Sequence, residues 1–378
     1  MKLMHLSDLH LGKRLGGFSM LDDQAYILEQ ILSAAEAEQP DAVLIAGDVY
    51  DRPAPPAEAV RLFDAFLVRL SKRGLKTVVI SGNHDSGDRL AFGARLMDAS
   101  GVVIEPPYEG TVTPVTLRDG YGEVRIWPLP FVRRAQVQRF FPEEELRAET
   151  EAIAAVIRQM AVDAGQRNVL VAHQFVSGAS VCDSEEIQIG TADSVDAAVF
   201  DAFDYVALGH LHGAQSVGRE TVRYCGTPLK YSVSEKDHVK SVTVVELGGK
   251  GDVTVRTLPL TPKHDLRELR GAYDALTLRE SYENTAADDY LSIVLTDEQD
   301  VPDALAKLRV IYPNILQLRY DNTRTRAGGE LLPVDPADRR TELELFEDFY
   351  ALQNGQAMTP EQRALSERLL REIKEGEA

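Results

Sequence analysis

Ser81-Gly82-Asn83-His84-Asp85 follows the short apolar run Thr77-Val78-Val79-Ile80. The run reads as a buried strand between Lys76 and a glycine turn. A strand that stops at Gly-Asn-His-Asp brings an amide oxygen, an imidazole and a carboxylate into one tight turn, a costly set to bury for structure alone. The same grammar recurs four more times. Lys2 to Leu6 leads into Ser7-Asp8-Leu9-His10, and Ala42 to Ala46 leads into Gly47-Asp48-Val49-Tyr50-Asp51. Val169 to Ala172 ends in His173, and Tyr205 to Leu208 ends in Gly209-His210-Leu211-His212. Open α/β sheets bind ligands at the carboxyl ends of their strands.

Seven candidate metal ligands then converge: Asp8, His10, Asp48, Asn83, His173, His210 and His212. For Asp8/His10 and His210/His212 the i, i+2 spacing in extended chain predicts both side chains on one side. Seven ligands exceed one tetrahedral ion and suit two octahedral-type ions sharing a bridge. Imidazole, carboxylate and amide oxygen without thiolate favour Mn, Fe or Zn over Ca or a bare Mg site. Two ions about 3.5–4 Å apart form the clamp used to hydrolyse phosphate esters by in-line attack.

The ordered set D-x-H, G-D, G-N-H-D, H and G-H-x-H resembles the calcineurin-like binuclear metallophosphoesterases. Within them the order and spacing most resemble the SbcD family, the nuclease subunits of bacterial SbcCD complexes. The opening Met1 to Gly12 and the stretch Gly226-Thr227-Pro228-Leu229-Lys230-Tyr231-Ser232 carry that likeness, which runs over nearly the whole chain. It implies an α/β fold: a two-sheet metallophosphoesterase sandwich flanked by helices, a small α+β capping domain, and C-terminal helices. It assigns Asp8, His10, Asp48 and His212 to one ion and Asp48, Asn83, His173 and His210 to the other, with Asp48 as the bridge. Water is the implied nucleophile, with no covalent intermediate. His84 is implied as a catalytic donor to the phosphate and leaving oxygen. Asp85 is expected to orient the His84 ring, the plainer alternative being a turn-forming aspartate. Asp51 departs from some relatives, which carry histidine three residues after the bridging aspartate.

The chain has 378 residues, enough for one large domain and a smaller one. Hydrophobic content of 44% with 27% charged residues is ordinary globular composition. No apolar run reaches the roughly 18 residues of a membrane span, and the N-terminus does not read as a signal peptide, so a cytoplasmic location is expected. Cys182 and Cys225 lack metal or redox spacing and read as unpaired thiols in a reducing compartment.

A net charge of −19 argues against simple nucleic-acid binding. An acidic nuclease would draw DNA affinity from a partner. Basic residues do gather at Arg69, Lys72, Arg73 and Lys76 and at Arg133, Arg134 and Arg139. These read equally as solvated helix faces or as contacts.

Helices are expected over Asp22–Glu38, Ala57–Arg73 and Glu143–Ala164, with residues 1–264 forming the phosphoesterase domain. Trp127 is expected in the core. The glycine loop Gly12 to Phe18 reads as a connector or a substrate contact. Residues 265–323 would form the cap, with Leu266–Leu278 helical, Asp289–Thr296 a strand, Pro302–Ile311 a helix and Ile315–Tyr320 a second strand. Arg324–Arg340 reads as a linker, followed by helices over Glu342–Gln353 and Pro360–Glu375. Thr359, Pro360 and Gln362 form a strong start signal for the last helix. His5, His238 and His264 fall outside the ligand pattern and read as structural or surface residues.

The resemblance further implies Mn-dependent 3′-to-5′ exonuclease on double strands and endonuclease on single strands and hairpins. The implied partners are DNA, an SbcC-type ATPase docked on the C-terminal helices, and a second copy of the chain. No Gly-x-x-x-x-Gly-Lys-[Ser/Thr] loop is present, so ATP use would belong to a partner. The alternatives are a phosphatase or cyclic-nucleotide phosphodiesterase, and a non-catalytic scaffold at DNA ends.

Overall fold

In the computed structural model the described residues are 1–182, 194–327, 341–354 and 356–376. They divide into two units, Met1–Asp265 and Leu266–Ala378.

Apart from His5, the runs Leu3–Leu6, Ala42–Ala46, Val78–Ile80 and Val169–His173 are apolar up to their polar ends and are fully covered, as strands buried on both faces require. In the first sheet, Lys2–Leu6, Ala42–Ala46, Lys76–Ile80 and Val102–Ile104 lie parallel in that spatial order. Ser241–Leu247 and Val253–Pro259 add antiparallel strands beside Lys2–Leu6. In the second sheet, Gly122–Leu129, Arg167–His173, Tyr205–Gly209 and Arg219–Tyr224 are parallel. The antiparallel strands Val115–Asp119 and Gln215–Val217 close its two edges.

Strand alternation divides the core. Leu3, Leu44, Val78, Ile80, Val169, Val171 and Ala207 form the layer between the sheets. Leu170, Ala172, Val206 and Leu208, one residue out of phase, pack with Ile153 and Val156 of the helix Glu149–Met160. Each fully buried Val, Leu or Ile contributes about 1.5–3 kcal/mol. Trp127 lies in this second layer, its indole donating to Asn168 Oδ1 at 3.1 Å. The helices Leu21–Glu38 and Ala57–Lys72 connect the parallel strands and bury Ile27, Leu28, Ile31, Leu32 and Phe63, Phe66, Leu67, Leu70.

Three expectations need correction. The long helix begins at Glu149, not Glu143, and ends at Met160. Gln138 holds residues 141–146 in turns through the carbonyls of Phe141 and Glu144 and the amide of Leu146. Leu266–Gly271 is a strand rather than part of a helix, paired in parallel with Tyr290–Leu295. The third strand, Ile315–Tyr320, is parallel too, and Leu308 of the helix Ala304–Leu308 and Tyr312 beyond it cover the sheet. Thr323–Ala327 is helical where the sequence suggests a linker, and residues 328–340 lie outside the described ones.

The last helices span Glu342–Asn354 and Pro360–Gly376. Thr359 and Gln362 exchange side chain-to-amide bonds at 2.9 and 3.3 Å, the reciprocal cap that their spacing predicts. No helix among the described residues is long and apolar enough to cross a membrane. Cys225 is buried and Cys182 half-buried, and neither is in a disulfide.

Candidate metal centre

All seven predicted ligands meet at the carboxyl ends of the parallel strands. Asp8, His10 and His212 present ligand atoms within 4.8 Å of one another, as do Asp8, Asp48 and His173. His10 Nε2 lies 3.2 Å from His212 Nε2 and 3.8 Å from Asp48 Oδ2. Asp48 Oδ2 is 3.4 Å from His173 Nε2. Asn83 Oδ1 sits 2.9 Å from His173 Nε2 and 3.0 Å from His210 Nδ1. Asp48 thus stands between an Asp8/His10/His212 side and an Asn83/His173/His210 side.

The expected i, i+2 extended geometry is not what brings them together. The strands stop at Leu6, Ala46 and Gly209, and Asp8, His10, Asp48 and His210 all have positive φ, from 44° to 105°. Non-glycine residues rarely sit there, and such strain gathers where surroundings over-determine a site. Close packing also demands glycine around the site, at Gly47, Gly82 and Gly209. A Cβ on Gly47 would fall 2.8 Å from His173 Cγ, and one on Gly82 would fall 2.7 Å from Asp48 Cγ.

Hydrogen bonds outside the cluster choose which ring nitrogen faces in. His173 Nδ1 is 2.8 Å from the Ala46 carbonyl and His212 Nδ1 is 2.9 Å from Glu235 Oε1. Both partners only accept, so each Nδ1 carries a proton and Nε2 is given to the cluster. Glu235 is fully buried and pairs with the buried Lys240 at 2.6 Å. Burial alone would raise Glu235, but His212 and Lys240 hold it well below the usual carboxylate range. Sequence reading missed this pair. It lies in the polar stretch Ser232 to Lys240, where only the neighbouring Gly226–Ser232 signature hinted at a role.

Burial pushes His210 down to about 3 and His10 well below its ordinary value. Both rings are therefore neutral, the form that ligates metal. Burial also pushes Asp8 up to about 6. Asp48 and His173 go the other way: burial opposes both charges, but their mutual attraction holds Asp48 low and lifts His173 to about 9. Two buried carboxylates among imidazole lone pairs and an amide oxygen form a donor set that fits divalent cations.

His84 also belongs here geometrically, its Nε2 being 4.0 Å from Asp48 Oδ2 and its ring edge-on to His10 at 4.8 Å. Asp85 does not orient that ring. Its carboxylate accepts from the amides of Val49, Tyr50 and Gly82 at 2.9–3.0 Å, tying two loops together. The ring is held by the Asp51 carbonyl, 3.1 Å from Nδ1. Of the histidines outside the pattern, His5 is a core residue bonded to Tyr205 at 2.9 Å, and His264 pairs with Asp23. His238 lies 3.5 Å from Lys240 Nζ.

The first basic run is largely neutralised: Arg69 pairs with Glu29, Arg73 with Glu36 and Lys76 with Asp98. Such exposed pairs contribute little stability, and they leave little free positive charge on that face.

Comparison with known proteins places the family. The calcineurin-like phosphoesterase family matches residues 1–214, and a family described as type 5 capsule protein repressor C-terminal domain matches residues 262–354. The chain is 32% identical to the SbcD polypeptide of the SbcCD nuclease of Staphylococcus epidermidis, over 93% of this chain and 92% of that protein. It is likewise 32% identical to the SbcD polypeptide of the Staphylococcus saprophyticus nuclease, over 98% of each. Among solved structures, a dimetal phosphatase from Danio rerio aligns with TM-score 0.41 and 12% identity, covering 68% of this chain and 98% of that one. The chain belongs to the calcineurin-like phosphoesterases and, within them, to the SbcD family of SbcCD nuclease subunits.

Proposed function

We propose that the chain is the DNA-cleaving subunit of an SbcCD-type complex, a two-metal phosphodiester hydrolase. Its substrates would be DNA ends and hairpins: 3′-to-5′ exonuclease on duplex, endonuclease on single strands. The observation that carries this reading is the convergence of seven nitrogen and oxygen ligands, with His84 beside them, in a chain of this family.

In this reading Asp8, His10, Asp48 and His212 would hold one Mn ion, and Asp48, Asn83, His173 and His210 would hold the other. The two bound ions supply Lewis-acid charge and a water of lowered pKa. The protein's own work is to fix orientation. Glu235 and the Ala46 carbonyl set the His212 and His173 tautomers. His84, with Nδ1 turned to the Asp51 carbonyl, presents Nε2 toward the cluster, and in its doubly protonated form it would donate from there to the phosphate or leaving oxygen.

The unit from Leu266 serves as the DNA-fitting cap, and the helices Glu342–Asn354 and Pro360–Gly376 dock on an SbcC-type ATPase. Acidic charge over the whole chain supports a division of labour in which that partner supplies DNA affinity and ATP use. A homodimer within a heterotetramer completes the assembly. The apolar stripes of Leu21–Glu38 and Ala57–Lys72 are buried except for Tyr26, Val60 and Val68, which are 41–43% exposed, whereas Phe92 and Leu96 are 86% and 83% exposed. That exposure supports the segment 87–97 as the dimer surface.

The test is Mn-dependent cleavage of a labelled hairpin duplex by the purified chain, with and without the ATPase partner and ATP. Endonucleolytic cuts by the chain alone, with ATP-dependent end processing only beside the partner, are expected. Turnover of p-nitrophenyl phosphate esters without DNA cleavage under either condition would move the chain to the small-substrate hydrolases. DNA binding without any hydrolysis would make it a scaffold.

A further inference from the structure

The backbone carbonyl of Asp51 is what holds the His84 ring. A carbonyl only accepts, so His84 Nδ1 carries the proton and Nε2 is the atom left facing the cluster. The direction of that Nε2 therefore depends on how firmly the segment Val49 to Asp51 is fixed.

Three ties fix it through the backbone. Asp51 N donates to the Leu11 carbonyl at 3.2 Å, and Leu11 N donates to the Val49 carbonyl at 2.9 Å. The Asp85 carboxylate takes the amides of Val49 and Tyr50. The side chain of Asp51 supplies a fourth. Lys13 Nζ reaches Asp51 Oδ1 at 2.8 Å, with side-chain exposures of only 19% and 13%. Arg52, the other cation near this carboxylate, is more distant at 3.7 Å and 59% exposed.

Lys13 is well placed to act as an anchor. Its amide donates to the His10 carbonyl at 3.0 Å, and its ammonium lies 5.8 Å from the centre of the Tyr231 ring. The Tyr231 hydroxyl in turn donates to the Leu9 carbonyl at 2.6 Å and accepts from Gln24 at 3.1 Å. Lys13 thus joins the loop carrying His10 to the carbonyl that aims His84.

We propose that Lys13 is a positioning residue for His84, acting through its ion pair with Asp51. The inference rests on the role given to His84 above. It assigns to the Lys13–Asp51 pair the orienting task that the sequence suggested for Asp85.

The test compares Lys13→Gln, Lys13→Arg and Asp51→Asn, each alone and combined with His84→Gln, in the full-length Mn-loaded protein on a hairpin duplex. Lys13→Gln is expected to lower kcat about tenfold and to leave KM within about twofold, because misaiming a donor costs turnover rather than binding. Manganese binding measured by calorimetry should not change. Lys13→Arg should restore most of the rate, and Asp51→Asn should match Lys13→Gln. In the His84→Gln background Lys13→Gln should cost nothing further, the non-additivity of residues acting as one unit.

A readout independent of turnover is the ¹⁵N spectrum of the histidine rings in metal-free protein. The His84 signal, identified by its loss in His84→Gln, should report the Nδ1-protonated ring and become mixed in Lys13→Gln. An equal loss of rate from Lys13→Gln in both backgrounds would overturn the proposal and place Lys13 on the substrate itself. So would a wild-type kcat and spectrum for Lys13→Gln beside an inactive His84→Gln. Full activity of His84→Gln would instead overturn the role of His84, and the two failures are told apart by that single variant.

Discussion

His212 Nδ1 donates to Glu235 Oε1 across 2.9 Å, and the other oxygen of Glu235 holds Lys240 at 2.6 Å, with all three side chains buried. The imidazole is aimed by an anion that is itself balanced by a cation. Lys240 also donates to the carbonyl of His212 at 3.0 Å and to Thr227 at 2.6 Å, so the network closes on the ligand it serves. Glu235→Gln keeps the shape and removes the charge. It is expected to weaken manganese binding about 10- to 100-fold, the usual cost of losing an outer partner of a ligating histidine. Lys240 is then left as a buried charge without its counter-ion, and unfolding free energy should fall by about 3 kcal/mol. Calorimetric titration and urea denaturation measure the two effects.

Glu105 gives a pH dependence of known sign. Burial pushes its carboxyl up from 4.5 to about 7. A group raised in the folded state contributes stability that is fully present below its unfolded value and is lost as pH rises through its folded value. The loss by pH 8 is about 1–3 kcal/mol, the upper figure being the full shift before allowance for partial exposure. Glu105→Gln should therefore equal wild type near pH 4 and exceed it by that amount at pH 8, in denaturation curves recorded at both. A stability difference that does not change between the two pH values would show that Glu105 titrates normally.

Phe92 and Leu96 carry the prediction for assembly. Phe92→Glu should convert a dimer into a monomer of 41.7 kDa in light scattering. Because Phe92 is 86% exposed, the substitution should leave the thermal midpoint of the monomer unchanged. A dimer that survives both Phe92→Glu and Leu96→Glu would remove this segment from the interface.

Much of the candidate site was legible because strand and ligand share one grammar. Apolar runs that end abruptly in Asp, Asn or His mark both a buried parallel strand and the place where it delivers its side chain. The ligands were found for partly the wrong reason, since left-handed turns at Asp8, His10, Asp48 and His210, not extended chain, bring them together. Asp and His are among the non-glycine residues that most often adopt positive φ, but residue type alone does not say which of them do.

The outer partners were not legible either. Glu235 and Lys240 are polar residues in a polar stretch, and only the tertiary fold buries them. Adjacency in sequence makes Asp85 look like the orienter of His84, but its carboxylate takes three backbone amides from two loops. Leu266–Gly271 misleads for a similar reason. Its leucines at i, i+3 suit a helix, yet Glu268 pairs with Arg319 on another strand and Arg267 with Asp289, contacts that only the assembled sheet provides. Glu143 to Arg147 has helical composition, but side-chain bonds from Gln138 hold much of the segment in turns.

The central claim is a centre for two ions bridged by Asp48. The most direct measurement is manganese stoichiometry and affinity by titration calorimetry, with electron paramagnetic resonance on the loaded protein. The account predicts two ions per chain whose spins are coupled, and loss of the coupled pair in Asp48→Asn. A single uncoupled ion per chain, or a coupled pair that survives Asp48→Asn, would contradict it.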